Sequence, residues 1–217
     1  MSEVQIRAGP SVLPGNLNIP EDATALVLFA HGSGSSRHSP RNQFVARTLN
    51  EAGLATLLFD LLTPEEETID MQTREHRFNI QLLAERLVRA TKWAKQQEQA
   101  SNLRTGYFGS STGGAAALVA AVDAPQDVDA VVSRGGRPDL ADEALPRVQA
   151  PTLLIVGGND DIVIELNEQA RDRMRCEAKL EIIPGATHLF EELGALEKVA
   201  QLASDWFVKH IRSGDPN

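Results

Sequence analysis

The fold of this 217-residue chain is decided by the stretch TGYFGSSTGG at residues 105–114. An apolar segment ends there and leads into the helix-forming small residues at 115–121. Gly109, Ser111 and Gly113 fit the spacing G-x-S-x-G, which is typical of a strand, a sharp turn and a helix with a serine at the tip. Glycine has no Cβ, so it suits the two positions where strand and helix crowd together. By itself the stretch equally fits a glycine-rich turn whose serine only caps the helix.

The composition is that of an ordinary globular protein, with 24% charged and 42% hydrophobic residues. The net charge of −9 opposes binding to nucleic acid or to anionic membranes. No apolar run approaches the roughly 20 residues that span a bilayer, and residues 1–7 lack the basic-then-apolar form of a signal peptide. Cys176 is the only cysteine, which rules out an internal disulfide. We therefore expect a cytoplasmic protein.

Apolar runs and helical spacing alternate from residue 25 onward. Continuous apolar runs predict strands buried on both faces at 25–30, 54–62, 129–133, 151–157 and 179–184, besides the one ending at Ser110. Helical spacing predicts helices at 40–52, 72–97, 163–176 and 193–211, and the acidic run at 65–67 is expected in a solvated loop. Two short strands are predicted at 3–8 and 11–19. The pattern predicts one α/β domain over residues 1–217, with a mostly parallel sheet of about 7–8 strands flanked by helices.

Two later loops carry the partners that a serine nucleophile needs. Loops at the carboxyl ends of parallel strands share one edge of a sheet, so these loops should lie near Ser111. His188 follows the last predicted strand and can take the serine proton. Asp160 and Asp161 follow the preceding strand, and either can orient the imidazole. The order Ser, Asp, His along the chain matches this interpretation and favours a catalytic site over a capped turn.

A tetrahedral oxyanion needs two backbone N–H donors. One is expected from Thr112, which follows the serine, and the other from Ser33 or Gly34 in the loop after the strand at 25–30. His31 precedes the serine in the chain and begins this loop, so we interpret it as structural.

Together these residues resemble the α/β-hydrolase superfamily, and HGSG at 31–34 with GGND at 157–160 looks most like its dienelactone-hydrolase-like branch. The resemblance spans roughly residues 3–212. It implies an α/β-hydrolase fold with Ser111 as nucleophile, His188 as base and Asp160 as acid. The family spacing has an apolar residue three positions after the acid, which Val163 provides for Asp160. Dienelactone hydrolases proper carry a cysteine at the elbow, so Ser111 favours a general serine esterase over dienelactone as substrate.

The connection at residues 134–150 has room for only one short helix, so we expect no substantial cap. An open mouth favours small soluble esters or lactones over aggregated lipid. Ser110 is expected to line the pocket, and Arg37 and Arg134 can pair with a carboxylate on the substrate. The same arginines, like Arg41 and Arg137, also fit surface salt bridges.

The expected protein is a serine hydrolase that forms an acyl-enzyme on Ser111 and needs neither metal nor cofactor. The five histidines show no ligand spacing, and residues 32–37 lack the third glycine of a dinucleotide-binding loop. Three alternatives stay open: acyl transfer to an acceptor other than water, thioester cleavage, and non-catalytic binding of a small molecule on the same fold. The sequence indicates no oligomeric state.

Overall fold

Eight strands and six α-helices alternate along residues 2–211, the part of the chain that this computed structural model describes. The strands are β1 (Ser2–Ala8), β2 (Ser11–Asn18), β3 (Ala25–Ala30), β4 (Leu54–Phe59), β5 (Arg104–Ser110), β6 (Ala130–Arg134), β7 (Thr152–Gly157) and β8 (Ala178–Ile183). The helices are α1 (Pro40–Glu51), α2 (Pro64–Thr73), α3 (Ile80–Ala94), α4 (Thr112–Asp123), α5 (Asp161–Arg173) and α6 (Ala195–His210). A 3₁₀ segment, Pro138–Arg147, lies between β6 and β7.

The strands form one sheet in the order β1-β2-β4-β3-β5-β6-β7-β8. β2 pairs antiparallel with β1 and β4, and every pairing from β4 to β8 is parallel. The prediction of a mostly parallel sheet is thus confirmed. In this register Ala30 pairs with Gly109, and Ser110 pairs with Arg134. The loops after β3, β5 and β6 therefore leave the sheet side by side.

Both faces of the sheet are covered, because all residues of β3, β4, β6 and β7 are buried and most of them are apolar. One core cluster joins the sheet to α3 and α4, through residues such as Leu83, Leu87 and Leu118. The other joins it to α1 and α6, through residues such as Leu49 and Phe207. This sandwich fixes the strand ends, on which the site is built.

The acidic run at residues 65–67 is not a solvated loop, as the sequence predicted, but the first turn of α2. Thr63 caps this helix: its hydroxyl accepts from the Glu66 N–H at 3.2 Å, and the Glu66 carboxylate accepts from the Thr63 N–H at 2.8 Å. The three carboxylates also suit the positive end of the helix dipole. The spacing T-x-x-E at residues 63–66 carried this signal, which is that of a capping box.

The prediction of a single helix at residues 72–97 is also wrong, because α2 ends at Thr73 and α3 begins at Ile80. Arg74 ends α2 in a left-handed conformation with φ of 60°, and Asn79 caps α3. The buried carboxylate of Asp70 accepts the N–H groups of His76 and Arg77 at 2.8 and 2.9 Å. Asp70 thus stabilises the interruption between the two helices through contacts with residues six and seven positions later. The spacing of hydrophobic residues does not reveal such contacts.

The connection between β6 and β7 contains only the short 3₁₀ segment, so the structure has no substantial cap there, as predicted. Among the helices within residues 2–211, none combines the length and apolar character needed to cross a bilayer.

Candidate active site

Ser111 sits at the tip of a strained turn between β5 and α4. Its φ of 52° and ψ of −121° lie where residues with a side chain are rarely found. The serine occupies the capping position of α4, but its side chain forms no capping hydrogen bond. The hydroxyl therefore does not cap the helix, contrary to the capped-turn interpretation. Strain at a half-buried serine with a free hydroxyl marks this turn as a functional candidate.

Glycines on both sides of Ser111 allow the turn to close. A Cβ on Gly109 would lie 2.3 Å from the Gly113 carbonyl oxygen, and one on Gly113 would lie 2.1 Å from the Ala30 carbonyl oxygen. Both obstacles are backbone atoms, which cannot rotate away as a side-chain end would. The two glycines of the G-x-S-x-G spacing are therefore steric requirements of the fold.

His188 and Asp160 are in direct contact. The His188 Nδ1 lies 2.7 Å from Asp160 Oδ2, and the two side chains are 40% and 17% exposed. An ionised carboxylate can only accept, so Nδ1 carries the proton and donates it, which leaves Nε2 with a free lone pair. Asp161, in contrast, begins α5 and is exposed. The geometry pairs the histidine with Asp160.

Backbone contacts hold the loops after β7 and β8 together. The Asn159 N–H donates to the Ala186 carbonyl at 2.9 Å, and its side-chain amide donates to the Gly185 carbonyl at 2.9 Å. A Cβ on Gly157 would meet the Ala186 carbonyl oxygen at 2.5 Å. This close approach places the acid loop directly beside the histidine loop.

The loop after β6 brings Ser111 and His188 to a common neighbour. The Ser111 N–H donates to the Arg134 carbonyl at 3.2 Å, and the Arg137 N–H donates to the Ser111 carbonyl at 3.1 Å. Between these two arginines, a Cβ on Gly135 would lie 3.4 Å from two ring atoms of His188. The serine backbone and the imidazole ring thus flank the same short loop.

The three residues predicted to form an oxyanion hole also meet. Ser33, Gly34 and Thr112 share the wall of a cavity of about 10 Å³. The Ser33 hydroxyl donates to the Arg77 carbonyl at 3.4 Å and is hydrogen-bonded to the Thr112 hydroxyl at 3.0 Å. Thr112 is the first residue of α4, where backbone N–H groups have no partner within the helix.

His31 is buried, as the structural role expected of it requires. Its Nε2 accepts from the Leu61 N–H at 3.0 Å, so Nδ1 carries the proton and donates to the Gly32 carbonyl at 2.9 Å. Burial lowers the pKa of the imidazole, although the carboxylates of Asp60 and Glu67 act in the opposite direction. A neutral His31 thus ties the loop after β3 to the chain leaving β4.

The three predicted substrate contacts have different surroundings. Ser110 is 3% exposed and its hydroxyl donates to Asn42 Oδ1 at 3.5 Å, so it faces α1 and does not line an open pocket as expected. The Arg37 guanidinium forms an ion pair with Asp60, and the backbone N–H of Arg37 donates to the same carboxylate at 2.7 Å. Arg134 ends β6 and is buried.

A cavity of about 700 Å³ opens beside the loop after β3. It is lined by Gly34, Arg37 and His38 together with residues that follow β4, and its wall includes neither Ser111 nor His188. Arg37 therefore lines this cavity even though its guanidinium is paired with Asp60. Across residues 2–211, no three His, Cys, Asp or Glu side chains converge in a way that would hold a metal ion.

Sequence reasoning did not identify the residues that support the loop after β3. Asp70 holds Arg77 through its side chain and its backbone, and Arg77 in turn accepts from Ser33. These residues are far apart in the chain and fit no short motif, so only the folded structure reveals them.

Comparison with known proteins places the chain in a family. Residues 23–211 match the model of an alpha/beta hydrolase domain. A crystal structure of a dienelactone hydrolase from Anabaena variabilis is 61% identical, with a TM-score of 0.96, and covers 97% of this chain and 98% of its own. Est1E from Butyrivibrio proteoclasticus is 18% identical with a TM-score of 0.81, over 96% of this chain and 98% of its own, which shows the fold alone.

Curated relatives from two strains of Mycobacterium tuberculosis are 56% identical over 215 residues, or 99% of this chain. Both are named provisionally as phosphoribosyl transferases, and the chain spans only 48% of their length. The matched domain and the 61% identical structure nevertheless agree with the fold. The chain belongs to the α/β-hydrolase family, in its dienelactone-hydrolase-like branch.

Proposed function

We propose that the protein is a serine hydrolase that cleaves small soluble carboxylic esters or lactones through an acyl-enzyme on Ser111. One observation carries the proposal: the 2.7 Å contact between His188 and Asp160, made beside a strained serine whose hydroxyl forms no capping bond. Binding of a small molecule alone would require neither the strain nor the oriented histidine.

In the acylation step, the Ser111 oxygen attacks the ester carbonyl carbon while its proton passes to His188 Nε2. Asp160 holds the imidazole in the required tautomer and stabilises the imidazolium that forms. The tetrahedral intermediate then collapses, the bond to the alcohol oxygen breaks, and that oxygen takes the proton from Nε2. Ser111 forms no hydrogen bond to His188 in this structure, so the contact must form when substrate binds, as apo sites commonly require.

The oxyanion of the intermediate would be stabilised by the backbone N–H groups of Thr112 and of Ser33 or Gly34. Each such donor typically contributes about 10²–10³-fold in rate. Water then attacks the acyl-enzyme with His188 again taking a proton, and Ser111 is released with a carboxylic acid. A lactone follows the same steps, except that its alcohol stays attached to the acyl group.

Intact-protein mass spectrometry after reaction with a fluorophosphonate probe tests the nucleophile. We expect one adduct on the wild-type protein and none on Ser111→Ala. Ser110→Ala is the matched control, because Ser110 is the neighbouring serine but is buried against α1, and it should keep the adduct. An unlabelled wild-type protein, or an adduct that survives in Ser111→Ala, would reject the proposed nucleophile and favour the binding protein.

The substrate class rests on the short β6–β7 connection, since no lid there shields a large apolar surface for a lipid. A series of p-nitrophenyl esters from acetate to palmitate tests it. We expect kcat/KM to be highest for the short acyl chains. A maximum at long chains would contradict the assignment to small soluble esters.

The transferase name of the curated relatives describes proteins of about twice this length. We propose that phosphoribosyl transfer belongs to the half of those relatives that this chain does not match. A direct assay of phosphoribosyl transfer to purine and pyrimidine bases should show no turnover by this chain. Turnover that survives in Ser111→Ala would assign a second activity to this domain.

A further inference from the structure

Asn167 is a polar side chain in the interior of α5 that has no access to solvent. It is 0% exposed, and it lies on the same face of the helix as the buried residues Val163 and Ala170. Asparagine is a poor helix former, and a buried amide is unfavourable unless it is hydrogen-bonded. An apolar residue would suit this position better for packing alone. The hydrogen bonds of Asn167 therefore have to explain its presence.

The Asn167 amide joins α5 to the loop after β6. Its Nδ2 donates to the Gly136 carbonyl at 3.0 Å and to the Val163 carbonyl, one turn earlier in α5, at 2.7 Å. Both partners can only accept, so the group between them is the NH₂, which uses both of its hydrogens. Within residues 2–211 this is the only hydrogen bond that the Gly136 carbonyl forms. The loop is thus tied to α5 by one side chain.

The loop that Asn167 holds contacts both the serine and the histidine. The Arg134 carbonyl accepts the Ser111 N–H, and the Arg137 N–H donates to the Ser111 carbonyl. Between them Gly135 has a φ of 52°, and a Cβ there would lie 3.4 Å from Nδ1 and Cε1 of His188. This edge of the imidazole therefore faces the loop. A displacement of the loop would move the ring and the serine backbone relative to each other.

The helix that carries Asn167 begins directly after the proposed acid. Asp160 precedes the first residue of α5, and its carboxylate contacts His188 at 2.7 Å. Asn167 lies about two turns further along the same helix. One buried side chain therefore connects the helix that follows the acid with the loop that lies against the histidine and is bonded to the serine.

We propose that Asn167 is a positioning residue for the hydrolysis. Its bond to Gly136 fixes the loop after β6 relative to α5, and so sets the place of the His188 ring relative to Ser111. The inference rests on the proposed hydrolase function. Because Asn167 is 0% exposed, it does not reach the substrate. Loss of its bond should slow the chemical step and leave substrate binding intact.

Two substitutions remove the bond to Gly136 in different ways. In Asn167→Leu the side chain keeps a similar volume but has no donor. In Asn167→Ser the hydroxyl can still bond to the Val163 carbonyl four positions earlier, but it is too short to reach Gly136. We expect both variants to lower kcat on p-nitrophenyl acetate by about 10–100-fold and to change KM by less than about threefold, because misplacement of a catalytic group by about 1 Å lowers rates by about 10²-fold.

Thr91→Val is the matched control. Thr91 is 1% exposed in α3, its hydroxyl donates to the Leu87 carbonyl at 2.9 Å, and it is hydrogen-bonded to the Tyr107 hydroxyl at 2.8 Å. Like Asn167, it is a buried polar residue with one bond to the preceding turn and one to a neighbouring element. Its bonds do not involve the loop after β6. Thr91→Val should lower the thermal midpoint by a few degrees and keep the wild-type kcat.

The kinetic comparison separates positioning from a general loss of stability. A fall in kcat of the Asn167 variants that is no larger than in Thr91→Val would overturn the inference. So would a raised KM with an unchanged kcat, since a positioning residue acts on the chemical step. If Asn167→Leu fails to fold, Asn167→Ser decides the comparison.

The second test does not depend on catalysis. NMR spectra are recorded of protein labelled with ¹³C at Cε1 of its five histidines, and the spectrum of His188→Gln assigns the His188 signal. We expect this signal to shift in Asn167→Leu and Asn167→Ser, because Gly135 lies against this part of the ring, and to stay in place in Thr91→Val.

The two proposals can fail separately. An unchanged His188 signal in both Asn167 variants would overturn the inference even where the esterase activity is established. If the wild-type protein hydrolyses no ester, the proposed function fails, and a shifted signal would still show that Asn167 positions His188.

Discussion

The two sides of the candidate site are built differently. On one side Ser111, Asp160 and His188 lie in the turns that follow β5, β7 and β8, within five residues of each strand end. On the other side the loop at residues 31–34 is held by the chain at 60–79, through hydrogen bonds from side chains distant in sequence. The comparison teaches that the residues of the first side are positioned by the ends of paired strands and the turns that follow them, and those of the second side by a network of side-chain hydrogen bonds.

The same substitution, aspartate to asparagine, can be made on both sides. The first side should respond in activity and the second in stability. Within residues 2–211 the Asp160 carboxylate is hydrogen-bonded to His188 alone, whereas the Asp70 carboxylate accepts from several donors.

Asp160→Asn should have the largest effect. An amide in place of the carboxylate can no longer fix Nδ1–H or stabilise the imidazolium, and related changes lower kcat by about 10⁴-fold. We expect kcat on p-nitrophenyl acetate to fall by about 10³–10⁴-fold, with a thermal midpoint within a few degrees of wild type. Asp161→Asn is the control and should keep most activity. A comparable loss in Asp161→Asn would move the acid to that residue.

Asp70→Asn should have a smaller effect on activity but a clear one on stability. Asp70 is 1% exposed and accepts from the His76 N–H, the Arg77 N–H and the Arg77 guanidinium. Although burial tends to raise the pKa of this carboxyl, hydrogen bonds from Arg77 and His76 hold it below its usual value. Removing the buried charge should lower the free energy of unfolding by about 3 kcal/mol.

Thermal denaturation measures this loss, which corresponds to about 6–12 °C in a domain of this size. Because Arg77 supports Ser33, kcat should also fall, by at most about tenfold. Asp172→Asn, whose carboxylate is 69% exposed, is the control and should change neither quantity. A wild-type midpoint in Asp70→Asn would show that the network does not hold this side together.

The smallest effect concerns pH and His31. The unfolded imidazole has an ordinary pKa of about 6.5, and burial lowers it in the folded protein. Between the two values the unfolded chain binds more protons, so stability is complete above about pH 6.5 and is lost as the pH falls below it. Protonation of Nε2 would also break its bond from the Leu61 N–H.

Urea unfolding of wild type and His31→Gln at pH 7.5, 6.5 and 5.5 measures this dependence. We expect the wild-type free energy of unfolding to fall below pH 6.5 by up to about 1.4 kcal/mol per unit more than that of His31→Gln. His38→Gln, which changes an exposed histidine near the same loop, should follow the wild type. Parallel curves for all three proteins would contradict a buried neutral His31.

Most of the fold followed from the sequence, because buried parallel strands are continuous apolar runs. The runs at 25–30 and 151–157 needed only local information, and so did the glycines around Ser111. The helices at 64–94 did not follow, because their break depends on Asp70 accepting the N–H groups of residues six and seven positions later. Hydrophobic periodicity contains no record of such a contact.

The sequence by itself determined the turn at Ser111 and the order of the serine, acid and histidine, because steric demands and strand ends are local properties. The residues alone left Asp160 and Asp161 open, since both follow the same strand, and the family resemblance favoured Asp160. The tertiary structure adds that Asp160 is the aspartate in contact with His188. It also separated three equivalent candidates for substrate binding: Ser110 faces α1, Arg37 is neutralised by Asp60, and Arg134 is buried without a counter-ion. Burial and pairing depend on residues brought together from the whole chain, and that is information no single stretch of sequence contains.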